Sequence, residues 1–301
     1  MDGIIPLFKE RGMTSHDCVF KCRGIFQTKK VGHSGTLDPN VDGVLPICIG
    51  KATKTVNYLM NSGKVYAGEI TLGFSTETED LDGEIIEEKE IIDPFTSEEI
   101  DDVMNQMTGT MIQIPPMFSA VKVNGRRLYD YARKGETVKR PERQITVTSF
   151  IQTKATEYDL ENKRQKIYFE VACGKGTYVR TLAVDLGKKL GVPAVMSDLT
   201  RLESGGFRID KAFTLDQLNE AKVNGTLESL LYPIDTALTS FKRYELTTEQ
   251  WLIVQNGGFL AIDSFNNEPT VALVYENKIR CLYRLNSEKN RYQSETMFDL
   301  G

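Results

Sequence analysis

One stretch of twenty-five residues, KVGHSGTLDPNVDGVLPICIGKATK from Lys30 to Lys54, constrains this chain more than any other. Gly32, Gly35, Gly43 and Gly50, with Pro39 and Pro46, interrupt it at short intervals. Glycine removes helical preference and proline removes a backbone donor, so a continuous helix or a central strand through the whole segment is disfavoured. The spacing predicts a long, turn-rich loop, and a loop of this length inside a compact domain is usually functional. It carries two carboxylates, Asp38 and Asp42, followed by an apolar run. An aspartate directly before proline, as at Asp38, is on its own a turn residue whose side chain bonds its own backbone.

Around this segment the periodicities mix. Thr14 to Gln27 reads as a helix, with Thr14 and Ser15 as N-cap candidates and Val19, Cys22 and Phe26 on one face. Val65 to Gly73 and Lys166 to Cys173 alternate as strands, and Ser97 to Met107 is a short capped helix. A helix follows from Thr177, with Val179, Leu182, Ala183, Leu186 and Leu190 at helical spacing and a stop at Gly191 and Pro193. Thr214 and Gln217 form a capping-box pattern. There is no regular βαβ rhythm, so the fold class is α+β with a mostly antiparallel sheet. A boundary is expected near Ser240. Beyond it lie a short helix pattern, Thr247 to Gln255, and apolar runs at Thr270 to Tyr275 and Ile279 to Leu285, which together suggest a small β-rich accessory domain.

Composition narrows the function classes. At 301 residues with 40% hydrophobic content the chain can bury a sizeable core, and no apolar run approaches the roughly 18 residues of a membrane span. The first residues lack the basic and apolar pattern of a secretory signal, and five cysteines without a dense framework fit reduced thiols, so a cytoplasmic protein is expected. Two histidines and no CxxC pair leave no zinc site, and no metal is expected. Net charge is −5, yet its distribution is uneven. From Glu77 to Asp102 thirteen acids stand against Lys89 alone, whereas Ser119 to Arg143 holds eight bases against three acids. A local basic stretch is what a phosphate backbone needs, whatever the total charge; the alternative is a solvated charged face.

The segment around Asp38 resembles the catalytic motif of the tRNA pseudouridine-55 synthase family, also called TruB, with its run G-H-x-G-T-L-D-P-x-x-x-G-V-L-P. Further strings follow in the family's order: TLGFSTETEDLDG after Tyr66, GKGTYVRTLAVDLG, and LTRLESGGF. The resemblance covers roughly residues 3 to 235, and the tail is similar to a degenerate PUA-type RNA-binding domain. It implies a pseudouridine synthase fold, with a central mixed, mostly antiparallel sheet flanked by helices and loops, over residues 1–240, and a small PUA-like domain over 241–301. It implies Asp38 as nucleophile, Tyr66 stacked on the target base and able to accept a proton, and Arg180 paired with the nucleophile. His33, Asp80, Tyr178 and Leu199 fall on substrate-binding positions. Lys54, at the end of the segment, and Arg126 and Arg127, in a basic insertion spanning about 115–145, join them as cations for RNA. Asn40 and Asp42 depart from the residues many relatives carry there, and Asp42 would raise the pKa of Asp38 if the two were close.

The implied reaction is isomerisation of uridine to pseudouridine at position 55 in the tRNA T-loop, by base flipping, with no cofactor. The implied partner is the tRNA T-arm, met by a monomer without an obligate protein partner. Three other readings stay open on the residues alone: a non-catalytic RNA-binding or tRNA-folding module, a nucleoside hydrolase, and a guide-RNA-dependent relative acting on ribosomal RNA.

Overall fold

The computed structural model describes residues 1–298. The chain divides into two compact units. One comprises Met1–Pro39, Val44–Met60 and the chain from Gly205 onward; the other comprises Asn40–Gly43 and Asn61–Ser204.

The second unit is built on a twisted sheet whose neighbouring strands run Ala194–Ser204, Lys64–Leu72, Arg164–Cys173, Arg143–Gln152 and Gly109–Gln113, every pairing antiparallel. Asp42 and Gly43 add a short parallel pairing to Thr200 and Arg201, which makes the sheet mixed. The expected strands at Val65 to Gly73 and Lys166 to Cys173 are both present. In Arg164–Cys173 every second residue is buried, from Gln165 through Ile167, Phe169 and Val171 to Cys173, which is the period-two signature of a sheet with one face on the core. Two long strands, Arg143–Gln152 and Ala194–Ser204, were not expected, although Ile145 and Val147 alternate with Thr146 and Thr148 in the first. The second is broken by register shifts near Ser197 and Leu202, which move its side chains out of a simple period.

Gly68 lets these strands close up. A β-carbon there would lie 2.4 Å from the Asp198 carbonyl, 2.9 Å from Phe169 and 3.0 Å from Leu199. No side chain fits without moving backbone, so the approach of Ala194–Ser204 on Lys64–Leu72 requires glycine. The helices Ser97–Gln106 and Val179–Leu190 pack on this sheet. Thr96 and Glu99 form a reciprocal capping box at the first, and Gly191 ends the second in a left-handed cap.

In the other unit, Gly3–Lys9, Val31–His33 and Asp42–Ile49 form strands, with Val31–His33 antiparallel to Cys48 and its neighbours. The expected uninterrupted loop from Lys29 to Lys54 is therefore corrected. The run VLPICI forms a fully buried strand, and Pro46 is tolerated within it because its carbonyl, not its missing N–H, is used, accepting from Ser34 N at 3.1 Å. Within it only residues 29–30 and 34–41 remain irregular. Helix Ser15–Phe26 is capped by Thr14 with Asp17, as the pattern predicts, and packs Cys18, Val19, Cys22, Ile25 and Phe26 against Ile5, Leu7, Leu45, Ile47 and Ile49.

After Ser240 the chain is β-rich, with strands ordered Lys242–Glu245, Thr270–Tyr275, Lys278–Asn286, Arg291–Met297 and Leu260–Ala261. The short helix there, Thr248–Val254, carries the Thr247 and Gln250 capping box.

All five cysteines are buried free thiols. Burial pushes the thiols of Cys22, Cys48 and Cys281 up to about 12 and that of Cys173 to about 11. Unfolded thiols ionise first, near their ordinary value of about 8.5, so the unfolded state holds fewer protons above that pH and stability falls as pH rises towards the folded values. Under reducing conditions the urea midpoint should drop between pH 8 and pH 10. That slope should be shallower in a Cys22→Ala, Cys48→Ala double variant, which starts less stable at pH 8; an unchanged slope would remove the thiols as its cause.

Candidate active site

Asp38 sits half-buried on the irregular segment between Val31–His33 and Asp42–Ile49. Side chains from elsewhere in the same unit hold the backbone on both sides of it. Before it, Leu37 N donates to Ser15 Oγ at 2.9 Å, and Ser15 Oγ donates back to the Leu37 carbonyl at 3.2 Å, both within the core. After it, the Pro39 carbonyl accepts from Lys9 Nζ at 3.0 Å and from Gly12 N at 2.9 Å. Lys9 is fully buried, and its ammonium also donates to the Glu10 carbonyl at 3.0 Å. A buried ammonium is costly unless hydrogen-bonded, and here backbone carbonyls supply the partners. Ser15 and Lys9 thus hold the backbone of this irregular segment on both flanks of Asp38. In the sequence Ser15 stood out only as an N-cap candidate, and Lys9, at the end of strand Gly3–Lys9, carried no motif character.

His33 ends its strand opposite Ile47 and is partly buried. Lys54 lies in the short 3-10 helix Gly50–Thr55, and its ammonium donates to the Met297 carbonyl at 2.5 Å. It lines a depression together with Lys30, Lys51 and Thr53.

In the second unit the structure gathers Tyr66, Asp80, Tyr178, Arg180 and Leu199 on neighbouring elements. Tyr66 is buried on strand Lys64–Leu72, with Val171 and Arg201 as its cross-strand partners. Leu199 is buried on the adjacent strand opposite Gly68, two positions along from Tyr66. Arg180 lies in the first turn of Val179–Leu190 and is only 7% exposed. Its Nη1 donates to the Thr78 carbonyl at 2.9 Å and lies 3.6 Å from Asp80 Oδ2, and its Nη2 donates to the Phe118 carbonyl at 3.1 Å. A planar guanidinium with several donors suits three such acceptors at once.

Asp80 is partly buried. Its Oδ1 accepts from Thr78 Oγ1 at 2.6 Å and from Asp82 N at 3.1 Å, which wraps the TETEDLDG turn around the carboxylate. Asn40 Nδ2 donates to Asp82 Oδ1 at 2.7 Å. The other departure, Asp42, accepts from Thr200 Oγ1 at 2.5 Å at the start of its strand, so its carboxylate is engaged by the neighbouring strand.

Tyr178 precedes the helix as its N-cap, and its hydroxyl-bearing side chain does no capping. Instead Gln113, 2% exposed, donates from Nε2 to the Tyr178 carbonyl at 3.1 Å and accepts from Tyr178 N at 2.8 Å. That glutamine sets where the helix, and with it Arg180, begins. It follows Ile112 at the end of a strand in a stretch without motif character, so nothing in the sequence marked it.

The basic insertion contains a two-residue hairpin. Asn124 and Gly125 both take positive φ, 50° and 81°, between Lys122–Val123 and Arg126–Arg127, as an Asn-Gly turn does. The Arg126 guanidinium lies 4.1 Å from the Tyr131 ring centroid and pairs with Glu136 at 2.8 Å. Arg127 and Arg133 flank the Tyr129 ring at 5.5 and 5.2 Å.

The fold defined by this sheet and its flanking helices is the pseudouridine synthase fold. The chain superposes on the structure entitled "Crystal Structure of a Cbf5-Nop10-Gar1 Complex" with a TM-score of 0.71 and 25% identity, over 99% of this chain and 85% of that one. Residues 23–179 match the TruB family pseudouridylate synthase N-terminal domain, and residues 180–239 match the tRNA pseudouridylate synthase B C-terminal domain. Over the full length of both chains it is 60% identical to tRNA pseudouridine synthase B of Ligilactobacillus salivarius, and it is 60% identical over 99% of both to that of Lactiplantibacillus plantarum. The chain belongs to the TruB family of pseudouridylate synthases.

Ser15→Ala removes both bonds to Leu37 and leaves a buried N–H without its partner, a loss of about 1–3 kcal/mol. Urea unfolding should show that loss, and the Leu37 amide should exchange at least about tenfold faster. Unchanged exchange at Leu37 would mean that Ser15 does not hold this turn.

Proposed function

We propose that this chain is a tRNA pseudouridine synthase in which Asp38 is the nucleophile, acting on the uridine at position 55 of the T-loop. Two things support the reading: the full-length relation to chains bearing the name tRNA pseudouridine synthase B, and a carboxylate on a turn anchored on both flanks. The anchoring carries the mechanism. A nucleophile must be held in a near-attack position, and backbone anchors on both flanks fix where the Asp38 carboxylate is presented.

The chemistry suits the residue types. The N1–C1′ bond breaks, the uracil turns, a C5–C1′ bond forms, N1 gains a proton and C5 loses one. Atoms and electrons balance within the substrate, so neither a redox partner nor ATP is required. A carboxylate forms and releases a sugar adduct in retaining glycosidases, which is the nearest general template. Tyr66 supplies a face for the flipped base and an oxygen able to accept the C5 proton, and Leu199 supplies an apolar wall. Asp80 and His33 offer polar contacts to the base, and Arg180 favours an ionised carboxylate. Lys54, Arg126, Arg127 and Tyr178 belong to the substrate-holding surface.

The T-arm is the proposed partner. It is recognised by shape and by an unstacked loop base rather than by groove readout, with the region after Ser240 acting as a PUA-like RNA-binding domain. The protein acts in the cytoplasm as a monomer, without a guide RNA or protein partner.

Pseudouridine mapping on an unmodified tRNA transcript tests this directly. The native protein alone should convert the T-loop uridine, with loss of the C5 hydrogen. Asp38→Asn should lower turnover by at least about a thousandfold, as removal of a nucleophile does, while still binding the tRNA. Tyr66→Phe keeps the ring and removes the hydroxyl, so it should bind and turn over far more slowly. Binding without product from the native protein would overturn the enzyme reading in favour of a non-catalytic RNA-binding module.

A further inference from the structure

Glu79 lies between the two residues whose atoms Arg180 holds, and its own side chain reaches the residue beside Arg180. Its Oε2 accepts from Thr181 Oγ1 at 2.6 Å. Its backbone is in the left-handed region at φ 66°, uncommon for a residue with a side chain. In that conformation its N–H donates to the Thr76 carbonyl at 3.2 Å and its carbonyl accepts from Met196 N at 3.1 Å. The neighbouring Thr78 carbonyl and Asp80 carboxylate meet the Arg180 guanidinium. Burial pushes the Glu79 carboxyl up, while the bond from Thr181 and the cations Arg180 and Arg140 hold it down; Asp185 opposes them. A partly buried acid in a strained conformation, tied to one hydroxyl, is an arrangement that persists only when its surroundings over-determine it.

We propose that Glu79 and Thr181 are positioning residues: together they lock the turn Thr78–Asp80 to the first turn of helix Val179–Leu190, and so set the orientation of Asp80 and Arg180 towards the target nucleotide. This rests on the reading of Asp80 and Arg180 given above and adds two residues to it. Without the clamp, Arg180 keeps its charge and acceptors of some kind, but the turn and the helix are free to shift against each other. A displacement of about an ångström in a positioning group is enough to cost up to roughly a hundredfold in rate. Sequence could not show it, because Glu79 stands in a run of acids and Thr181 in a helix of otherwise apolar pattern.

Four variants test the clamp. Thr181→Val removes the hydroxyl at constant volume, and Thr181→Ser restores it. Glu79→Gly removes the carboxylate while suiting the positive φ, so the turn should fold at least as stably. The fourth combines Thr181→Val with Glu79→Gly. We expect kcat to fall about ten- to a hundredfold in Thr181→Val, in Glu79→Gly and in the pair alike, with KM for tRNA within about twofold of native. Thr181→Ser should stay close to native. Multiplying losses in the pair, a loss confined to KM, or equal losses in Thr181→Ser and Thr181→Val would each overturn the proposal. Exchange of the Met196 amide, which needs no turnover, should quicken in Thr181→Val and not in Thr181→Ser. Unchanged exchange in both sinks the clamp whatever the activity. Altered exchange in a protein that makes no pseudouridine even as native sinks the functional reading and leaves the clamp standing.

Discussion

A single buried ammonium organises the turn that carries Asp38. Lys9 ends a strand whose other residues are core, so its side chain is drawn inside with the strand and is fully buried. Its charge is tolerable only if several oxygens meet it. The Glu10 and Pro39 carbonyls do so, and the second of these belongs to the residue after Asp38. Burying the strand therefore requires the turn to come to Lys9. Ser15 performs the complementary task on the other flank, since it lies in the first turn of a helix capped by Thr14 and so faces the core at a fixed place. A hydrophobic strand and a capped helix, both secure on ordinary grounds, thereby fix a segment with no repeating structure of its own.

The second unit solves a similar problem with other groups. Regular hydrogen bonding ends where the helix Val179–Leu190 begins, and orphan amides there need partners. Gln113 takes up Tyr178 from both sides, while the Arg180 guanidinium closes on the Thr78 and Phe118 carbonyls. Gly68 makes room for Leu199 beside Tyr66. In this unit the residues proposed to meet the substrate are thus held partly through their own polar atoms, as at Arg180 and Asp80, and partly through their neighbours.

How much of this could be seen in the sequence differs by element, for physical reasons. Helices Ser15–Phe26, Ser97–Gln106, Leu215–Val223 and Thr248–Val254 were visible because their caps are local and their periods clean. Strand Arg164–Cys173 was visible because one face is buried. Strand Asp42–Ile49 was hidden, since a strand buried on both faces shows no alternation and Pro46 argues against it. Ala194–Ser204 was hidden by its bulges. The proposed roles of Asp38, Tyr66 and Arg180 came only from long motif strings; singly, Asp38 read as a turn residue. The roles of Lys9, Ser15 and Gln113 were not legible, because each acts on backbone atoms far away in sequence, and that of Glu79 was not, because its partner is the hydroxyl of the distant Thr181; composition carries no trace of either.

The acidic run from Glu77 to Asp102 shows why net charge misleads in a protein proposed to hold RNA. Formally it is a block of repulsion. In the structure much of it is spent internally: Asp80 on its own turn and Arg180, Glu79 on Thr181, Asp82 on Asn40, Glu88 on Arg164, Glu99 on the helix cap at Thr96, and Asp101 on Gln152. The basic insertion is likewise less bare than its charge suggests, because Arg126 is paired with Glu136 and stacked on Tyr131, and Arg127 and Arg133 flank Tyr129. Exposed ion pairs of this sort are worth little, so a phosphate can displace Glu136 at small cost while Tyr131 keeps its place under the Arg126 guanidinium. The surface is thus poised to exchange partners, which suits recognition of a folded RNA by shape better than a fixed field of positive charge would.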